Sequence, residues 1–71
     1  MKEVKYTPLT MILTLRHHKG LTQKELATKS GLTVLTIQNL ENGWVDPYEA
    51  KYSTLLKIAR ALKVDVDDLF K

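Results

Sequence analysis

TQKELATKSGLTVLTIQNLENG, residues 22–43, is the stretch that decides the fold, because its pattern is typical of two short helices joined by a tight turn. Thr22 and Glu25 have the spacing of a capping box, in which each side chain satisfies an amide at the start of a helix. Ser30-Gly31 is expected to end this first helix, since glycine readily adopts the positive φ that the turn requires.

The second helix of the stretch is expected to start after Thr33, which caps it, and to finish at Asn42-Gly43. Two helices that cross steeply need a small side chain where their backbones approach, and Ala27 supplies one. The second helix must also turn apolar residues toward the first, and these are Leu32, Ile37 and Leu40. Because these features occur together at this spacing, the stretch predicts a helix-turn-helix.

The opposite face of the second helix is not a core face. It carries one apolar side chain and three amides: Leu35, Gln38, Asn39 and Asn42. Asparagine and glutamine can pair with adenine through two hydrogen bonds, and an apolar side chain can pack on the methyl group of thymine. A merely polar surface would explain the amides but not Leu35. This face is therefore our candidate for reading DNA bases.

A further helix is predicted before this stretch. It starts near Pro8, a residue that suits the first turn of a helix, and runs to about Lys19, where Gly20 closes it. Helical spacing places four of its residues on one face: Ile12, Leu15, Arg16 and Lys19. Residues 1–7, which include Val4 and Tyr6, are interpreted as an N-terminal arm or a short strand.

Two more helices are predicted after the stretch. A loop, WVDPYEAKYS, separates it from a fourth helix that runs from about Thr54 to Leu62 with an apolar stripe. A last short helix follows, with Asp65 as its N-cap, Asp68 three residues later and Leu69-Phe70 as an apolar anchor. The chain as a whole is therefore predicted to be all-α.

The composition limits the class of protein. Seventy-one residues are enough for one small domain, residues 1–71, and the lack of cysteine excludes disulfides and thiolate zinc sites. No apolar run approaches the roughly 18 residues of a membrane span, and MKEVKYTPL lacks the apolar core of a signal peptide. We therefore expect a soluble protein of the cytoplasm.

The positive charge is concentrated toward the N-terminus. The net charge is +3; residues 1–30 hold six Lys and Arg against two Glu, whereas residues 31–71 hold five against six acidic residues. A basic end attracts phosphates, although a solvated surface is the simpler interpretation of charge alone.

The chain resembles the lambda-repressor-like helix-turn-helix family, which includes the phage repressor, Cro and the XRE-type regulators. The resemblance runs from about Ile12 to Phe70. It rests on matches in register at Leu15-Arg16, Gly20-Leu21-Thr22-Gln23, Glu25-Leu26-Ala27, Gly31, Ile37, Glu41-Asn42-Gly43, Leu55-Leu56-Lys57-Ile58-Ala59 and Asp68-Leu69-Phe70. It implies a compact bundle of four to five helices whose third helix enters the major groove of duplex DNA.

Carried over position by position, the resemblance also implies which residues touch DNA. Gln23 opens the second helix where the family contacts a phosphate or a base edge, and the third helix contacts bases and nearby phosphates. The expected DNA-binding residues are Thr22, Gln23, Lys24, Thr33, Val34, Leu35, Thr36, Gln38, Asn39 and Asn42. Simpler roles stay open for three of them: a solvated side chain for Gln23, and helix capping for Thr33 and Asn42.

A structural role is expected for Arg16 and Glu41. Glu41 lies in the last turn of the third helix, where the helix dipole disfavours an anion. In the family that the chain resembles, an arginine at the position of Arg16 pairs with this glutamate. We therefore expect the pair to brace the third helix against the first.

The chain departs from the family pattern after the third helix. Many relatives carry Lys or Arg directly after the ENG motif, where this chain has Trp44-Val45-Asp46, and the loop looks about three residues longer. Lys51 could replace the missing phosphate contacts. Two sets of apolar residues are candidates for a protein interface: the aromatic residues of the loop, and Met11 and Leu13 in the first helix. Local packing is the preferred interpretation for both. The aromatic residues are Trp44, Tyr48 and Tyr52.

No motif for catalysis or metal binding is found in the sequence. His17 and His18 are adjacent, so their side chains do not point at one common metal ion. There is no Gly-rich phosphate loop and no pattern of an activated nucleophile. We therefore expect neither an enzyme nor a cofactor, and no small-molecule effector.

Together these observations predict a sequence-specific regulator of transcription that binds double-stranded DNA and is a repressor. One small domain buries little surface, so a homodimer on a palindromic operator is expected, with half-sites roughly 34 Å apart. A controller of a restriction or toxin locus is an open variant of this function. The alternative from another class is a protein-interaction module, such as an antitoxin-like partner, that retains the fold.

Overall fold

The computed structural model describes residues 4–71, which form four α-helices and two short 3₁₀ helices. The α-helices are α1 (Thr10–His18), α2 (Gln23–Ser30), α3 (Val34–Asn42) and α4 (Tyr52–Leu62). The 3₁₀ helices are Pro47–Glu49, before α4, and Val66–Phe70, after it. No strand is present within residues 4–71, and the predicted all-α class is confirmed. The short strand considered for residues 1–7 does not form at residues 4–7, and residues 1–3 lie outside the described part.

The ends of α2 and α3 are fixed by capping residues. The hydroxyl of Thr22 accepts a hydrogen bond from the Glu25 amide, and the Glu25 carboxylate accepts one from the Thr22 amide, both at 3.0 Å. Thr33 caps α3 by accepting a hydrogen bond from the Thr36 amide at 3.2 Å. Gly31 and Gly43 end the two helices, each with φ of +72°. All four caps lie where the sequence predicts them.

The helices that flank this pair start at other residues than predicted. α1 begins at Thr10 rather than near Pro8, because Leu9 has a non-helical backbone and donates its N–H to the carbonyl of Leu40 at 3.0 Å. α4 begins at Tyr52 rather than Thr54, and its first residues follow a 3₁₀ turn that starts at Pro47. Neither α1 nor α4 has a side-chain N-cap.

The core lies where all the helices meet. α2 packs against α3 and α4, while α1 packs against α3 and the C-terminal 3₁₀ helix. Four of the fully buried side chains come one from each α-helix: Ile12, Leu26, Ile37 and Ile58. Of the four residues that the spacing places on one face of α1, Ile12 and Arg16 are buried, whereas Lys19 is exposed because it follows the last turn of that helix.

The longest helix, α4, has 11 residues. Within the described part of the chain, no helix has the length and apolar character that a membrane crossing requires.

Candidate nucleic-acid interface

The turn between α2 and α3 holds the two helices at a fixed angle. The Leu32 amide donates to the carbonyl of Ala27 at 2.9 Å, which closes the end of α2 around Gly31. Ser30 is buried, and its hydroxyl donates back to the carbonyl of Leu26 at 2.8 Å. These hydrogen bonds fix the path of the chain from the end of α2 toward the start of α3.

α3 has one buried side and one accessible side. Ile37, Leu40 and Glu41 are buried, and they fix the rotation of the helix about its axis. On the other side Leu35 is 55% exposed, and the three amides beside it are half-buried: Gln38, Asn39 and Asn42. The i, i+3, i+4, i+7 spacing of these four residues forms one stripe along the helix. We call this stripe the reading face.

A buried ion pair joins α1 to the last turn of α3. The Nε of Arg16 donates to Glu41 Oε2 at 2.9 Å and its Nη2 donates to Oε1 at 3.1 Å, so the contact is bidentate. The side chains are 8% and 3% exposed. Arg16 also donates through Nη1 to the carbonyl of Leu21 at 2.9 Å. The prediction that this pair braces α3 against α1 therefore matches the observed geometry.

Two glutamines extend this polar contact to the reading face. Gln23, the first residue of α2, donates its Nε2 to Glu41 Oε1 at 3.0 Å. Gln38 donates its own Nε2 to Gln23 Oε1 at 3.2 Å. The sequence did not predict either bond, because the spacing of residues on separate helices does not reveal which way two long side chains turn. Gln38 is consequently held in place, and this bond uses one of the four hydrogen-bonding positions of its amide.

Several expected DNA contacts have a second role within the fold. The Thr22 and Thr33 hydroxyls cap α2 and α3, and the Thr36 hydroxyl lies 3.0 Å from that of Thr33. Val34 is half-buried and packs against the core. Hydroxyls can bond a phosphate while capping a helix, since they donate as well as accept.

Asn39 lies at the centre of the reading face. Its Oδ1 is buried and has no hydrogen-bond partner within residues 4–71. A buried carbonyl without a partner is unfavourable in the free protein. The backbone carbonyl of the same residue accepts hydrogen bonds from the amides of Gly43 and Trp44.

The reading face itself carries no basic side chain, and the exposed lysines of the neighbouring elements lie outside α3. α3 contains no Lys or Arg. Lys24 and Lys29 on α2 and Lys51 before α4 are exposed, and none takes part in the salt bridges among the described residues. At the start of α2, hydrogen bonds from the Thr22 backbone amide and hydroxyl lower the pKa of Glu25, so this carboxylate stays ionised.

The three aromatic residues after α3 differ in how exposed they are. Tyr48 packs on Phe70 with ring centroids 5.1 Å apart, which supports local packing for that residue. Tyr48 and Tyr52 are nevertheless 78% and 65% exposed. Trp44 is half-buried at the end of α3.

Within residues 4–71, no group of three or more His, Asp or Glu residues is arranged to hold a metal ion.

Comparisons with known proteins agree with this geometry. The model of a helix-turn-helix family matches residues 12–69. Among solved structures, the chain is similar to the restriction-modification controller protein C.AhdI from Aeromonas hydrophila, with 32% sequence identity and a TM-score of 0.77. The similarity covers 87% of this chain and 89% of that chain. A comparison with curated protein sequences finds no match.

Proposed function

Because the chain belongs to the lambda-repressor-like, XRE-type helix-turn-helix family and is thus a DNA-binding transcriptional regulator, we propose that it reads an operator with α3 and represses transcription by occupying it. The observation that carries the proposal is the reading face. An exposed leucine beside amides, on a helix whose other side is fixed in the core, is well suited to the major groove.

The chemistry of this face favours A·T base pairs. Gln38 and Asn39 offer amides that can pair with adenine, and Leu35 can pack on a thymine methyl group. The face has no Arg or Lys, the residues that most often contact guanine. The bond from Gln38 to Gln23 supports this role, because a side chain held in place loses less entropy when it binds.

Phosphate contacts supply the general affinity in this proposal. The N-terminus of α2 and the exposed Lys24 and Lys29 are the groups that would meet the sugar-phosphate backbone. Each phosphate that the protein neutralises makes the log–log salt slope of binding more negative by about 0.9.

A homodimer on a palindromic operator completes the proposal. The described part of one chain measures 28 × 23 × 20 Å. Two copies therefore fit side by side on one face of the duplex, with their α3 helices about 34 Å apart in successive major grooves. Similarity to a restriction-modification controller protein supports the variant in which the regulated genes belong to such a locus.

Selection of bound sites from random duplexes tests this function. We expect the wild type to enrich an A·T-rich palindrome, and Asn39→Ala to lose preference at one or two positions of each half-site. Ser53→Ala, an exposed polar residue on α4, is the matched control and should enrich the same motif as the wild type. Enrichment of no motif by the folded wild type would exclude sequence-specific binding.

The exposed Tyr48 and Tyr52 support one second candidate, a protein-interaction module that retains the fold. Charge reversal at Lys24 and Lys29 distinguishes the two functions. If the protein binds DNA, Lys24→Glu with Lys29→Glu weakens binding to all duplexes by a similar factor. If it is an interaction module, the wild type has negligible affinity for DNA and the reversal changes nothing.

A further inference from the structure

The N-terminal segment, residues 4–9, lies across the C-terminal end of α3. The amides of Lys5 and Tyr6 both donate to the carbonyl of Gly43, at 3.1 and 3.0 Å. The amide of Leu9 donates to the carbonyl of Leu40 at 3.0 Å. Three backbone bonds thus fix this segment to the last turn of the helix that carries the reading face.

Gly43 makes this close approach sterically allowed. A Cβ atom at this position would overlap the carbonyl oxygen of Tyr6 and would lie 3.0 Å from Pro8 Cγ and 3.1 Å from Val4 Cγ1. Gly31 has the same φ but nothing within 4 Å of the corresponding position. The glycine after α3 therefore serves a packing purpose that the glycine after α2 does not.

A phosphate that approaches this end of α3 requires a positive group nearby. The last carbonyls of a helix carry partial negative charge, which repels an anion. α3 has no basic residue in its last turn, and Trp44-Val45-Asp46 follows it. The Glu41 carboxylate is already compensated by Arg16. The N-terminal segment both bonds the end carbonyls and brings the exposed Lys5 to this place.

We propose that Lys5 binds a phosphate of the DNA backbone beside the C-terminal end of α3, where α3 itself offers no basic side chain. The inference rests on the proposed function, since it assigns a further contact of the same interface. The Lys5 backbone is anchored at Gly43, so only its side chain must become ordered on binding. A phosphate contact at this place carries no sequence information, but it fixes the position of α3 along the groove.

The first test compares two lysine reversals of equal charge. We expect Lys5→Glu to weaken binding by roughly tenfold on operator and unrelated duplexes alike, and to make the salt slope about 0.9 less negative. Lys57→Glu, on the solvent side of α4, is the matched control and should weaken binding far less. Lys5→Arg, which keeps the charge, should bind like the wild type. Equal losses for the two reversals would overturn the proposal.

The second test identifies the phosphate itself. The affinities of the wild type and of Lys5→Ala are measured for a set of operators, each of which carries a single neutral methylphosphonate in place of one phosphate. At one position per half-site, the neutral group should lower the affinity of the wild type several-fold and leave the affinity of Lys5→Ala unchanged. If every position weakens both proteins by the same factor, Lys5 contacts no phosphate.

These outcomes are separate from those that test the function. A folded wild type that binds no duplex overturns the function, and this inference with it. A wild type that binds an operator while Lys5→Glu and Lys57→Glu behave alike overturns only the inference. The unfolding temperature of each variant serves as the folding check, since the hydrogen bonds from Lys5 to Gly43 are made by its backbone.

Discussion

The two central helices and the two flanking helices are positioned by different kinds of contact. α2 and α3 each start at a threonine whose side chain caps them and end at a glycine with positive φ. The residues that precede α1 and α4, Leu9 and Lys51, make no side-chain cap. The first pair is thus delimited by capping residues next to each helix in sequence, whereas the start of α1 is set by a contact of Leu9 with α3, which is distant in sequence. Four groups of substitutions test this difference, from the largest expected effect to the smallest.

Arg16→Ala should have the largest effect, because it removes the main contact that sets α1 against α3. Glu41 would be left buried without its cation, which costs about 3–5 kcal/mol of unfolding free energy. For a domain of this size, a loss of that order lowers the melting temperature by more than about 10 °C. Urea denaturation followed by circular dichroism measures the change.

The control for this prediction replaces both partners. Arg16→Met with Glu41→Leu removes the charges together, and it should recover most of the lost stability. If Arg16→Ala melts at the temperature of the wild type, the pair does not brace the helices.

Gly43→Ala and Gly31→Ala should come next, with unequal effects. Both positions have φ of +72°, so alanine costs about 1–2 kcal/mol at each from backbone strain alone. At Gly43 the new methyl group must also displace the N-terminal segment from the end of α3. We therefore expect a loss of unfolding free energy at Gly43 at least twice that at Gly31, where the space is open. Equal losses would mean that the segment contributes nothing to the position of α3.

The helix caps should have smaller effects. Thr22→Ala and Thr33→Ala each remove a side-chain hydrogen bond at the start of a helix and should cost about 1 kcal/mol. Lys51→Ala should change stability by less than about 0.5 kcal/mol, because the lysine side chain caps nothing. Lys51→Ser should instead stabilise the protein by introducing a cap. A large loss for Lys51→Ala would remove the distinction between the two pairs of helices.

The smallest expected effect is the pH dependence of the α2 cap. Hydrogen bonds from Thr22 lower the pKa of Glu25 in the folded protein. A lowered pKa stabilises the fold above the pKa of the unfolded chain, and this contribution is lost as the pH falls through the pKa of the folded protein. Glu25→Gln keeps a capping side chain but cannot titrate. Its melting temperature should therefore fall less than that of the wild type between pH 5 and pH 3.

The sequence predicted the central part of the fold well, because the determining residues lie within a few positions of one another. Thr22, Glu25 and Gly31 act on their own helix, so their roles can be inferred from spacing alone. The predicted starts of α1 and α4 each differ from the observed starts by two residues. Those starts depend on where Leu9 meets α3 and on the 3₁₀ turn at Pro47, which local propensities do not specify.

For the candidate site, the sequence by itself determined which residues share the outer face of α3, since helical periodicity fixes that. Only the tertiary structure decided how Gln38 is held, through Gln23 and Glu41, and which segment covers the end of α3. The physical reason is distance along the chain. Periodicity and capping act over three to seven residues, whereas Gly43 meets Lys5, and Glu41 meets Arg16, only once the whole chain has folded.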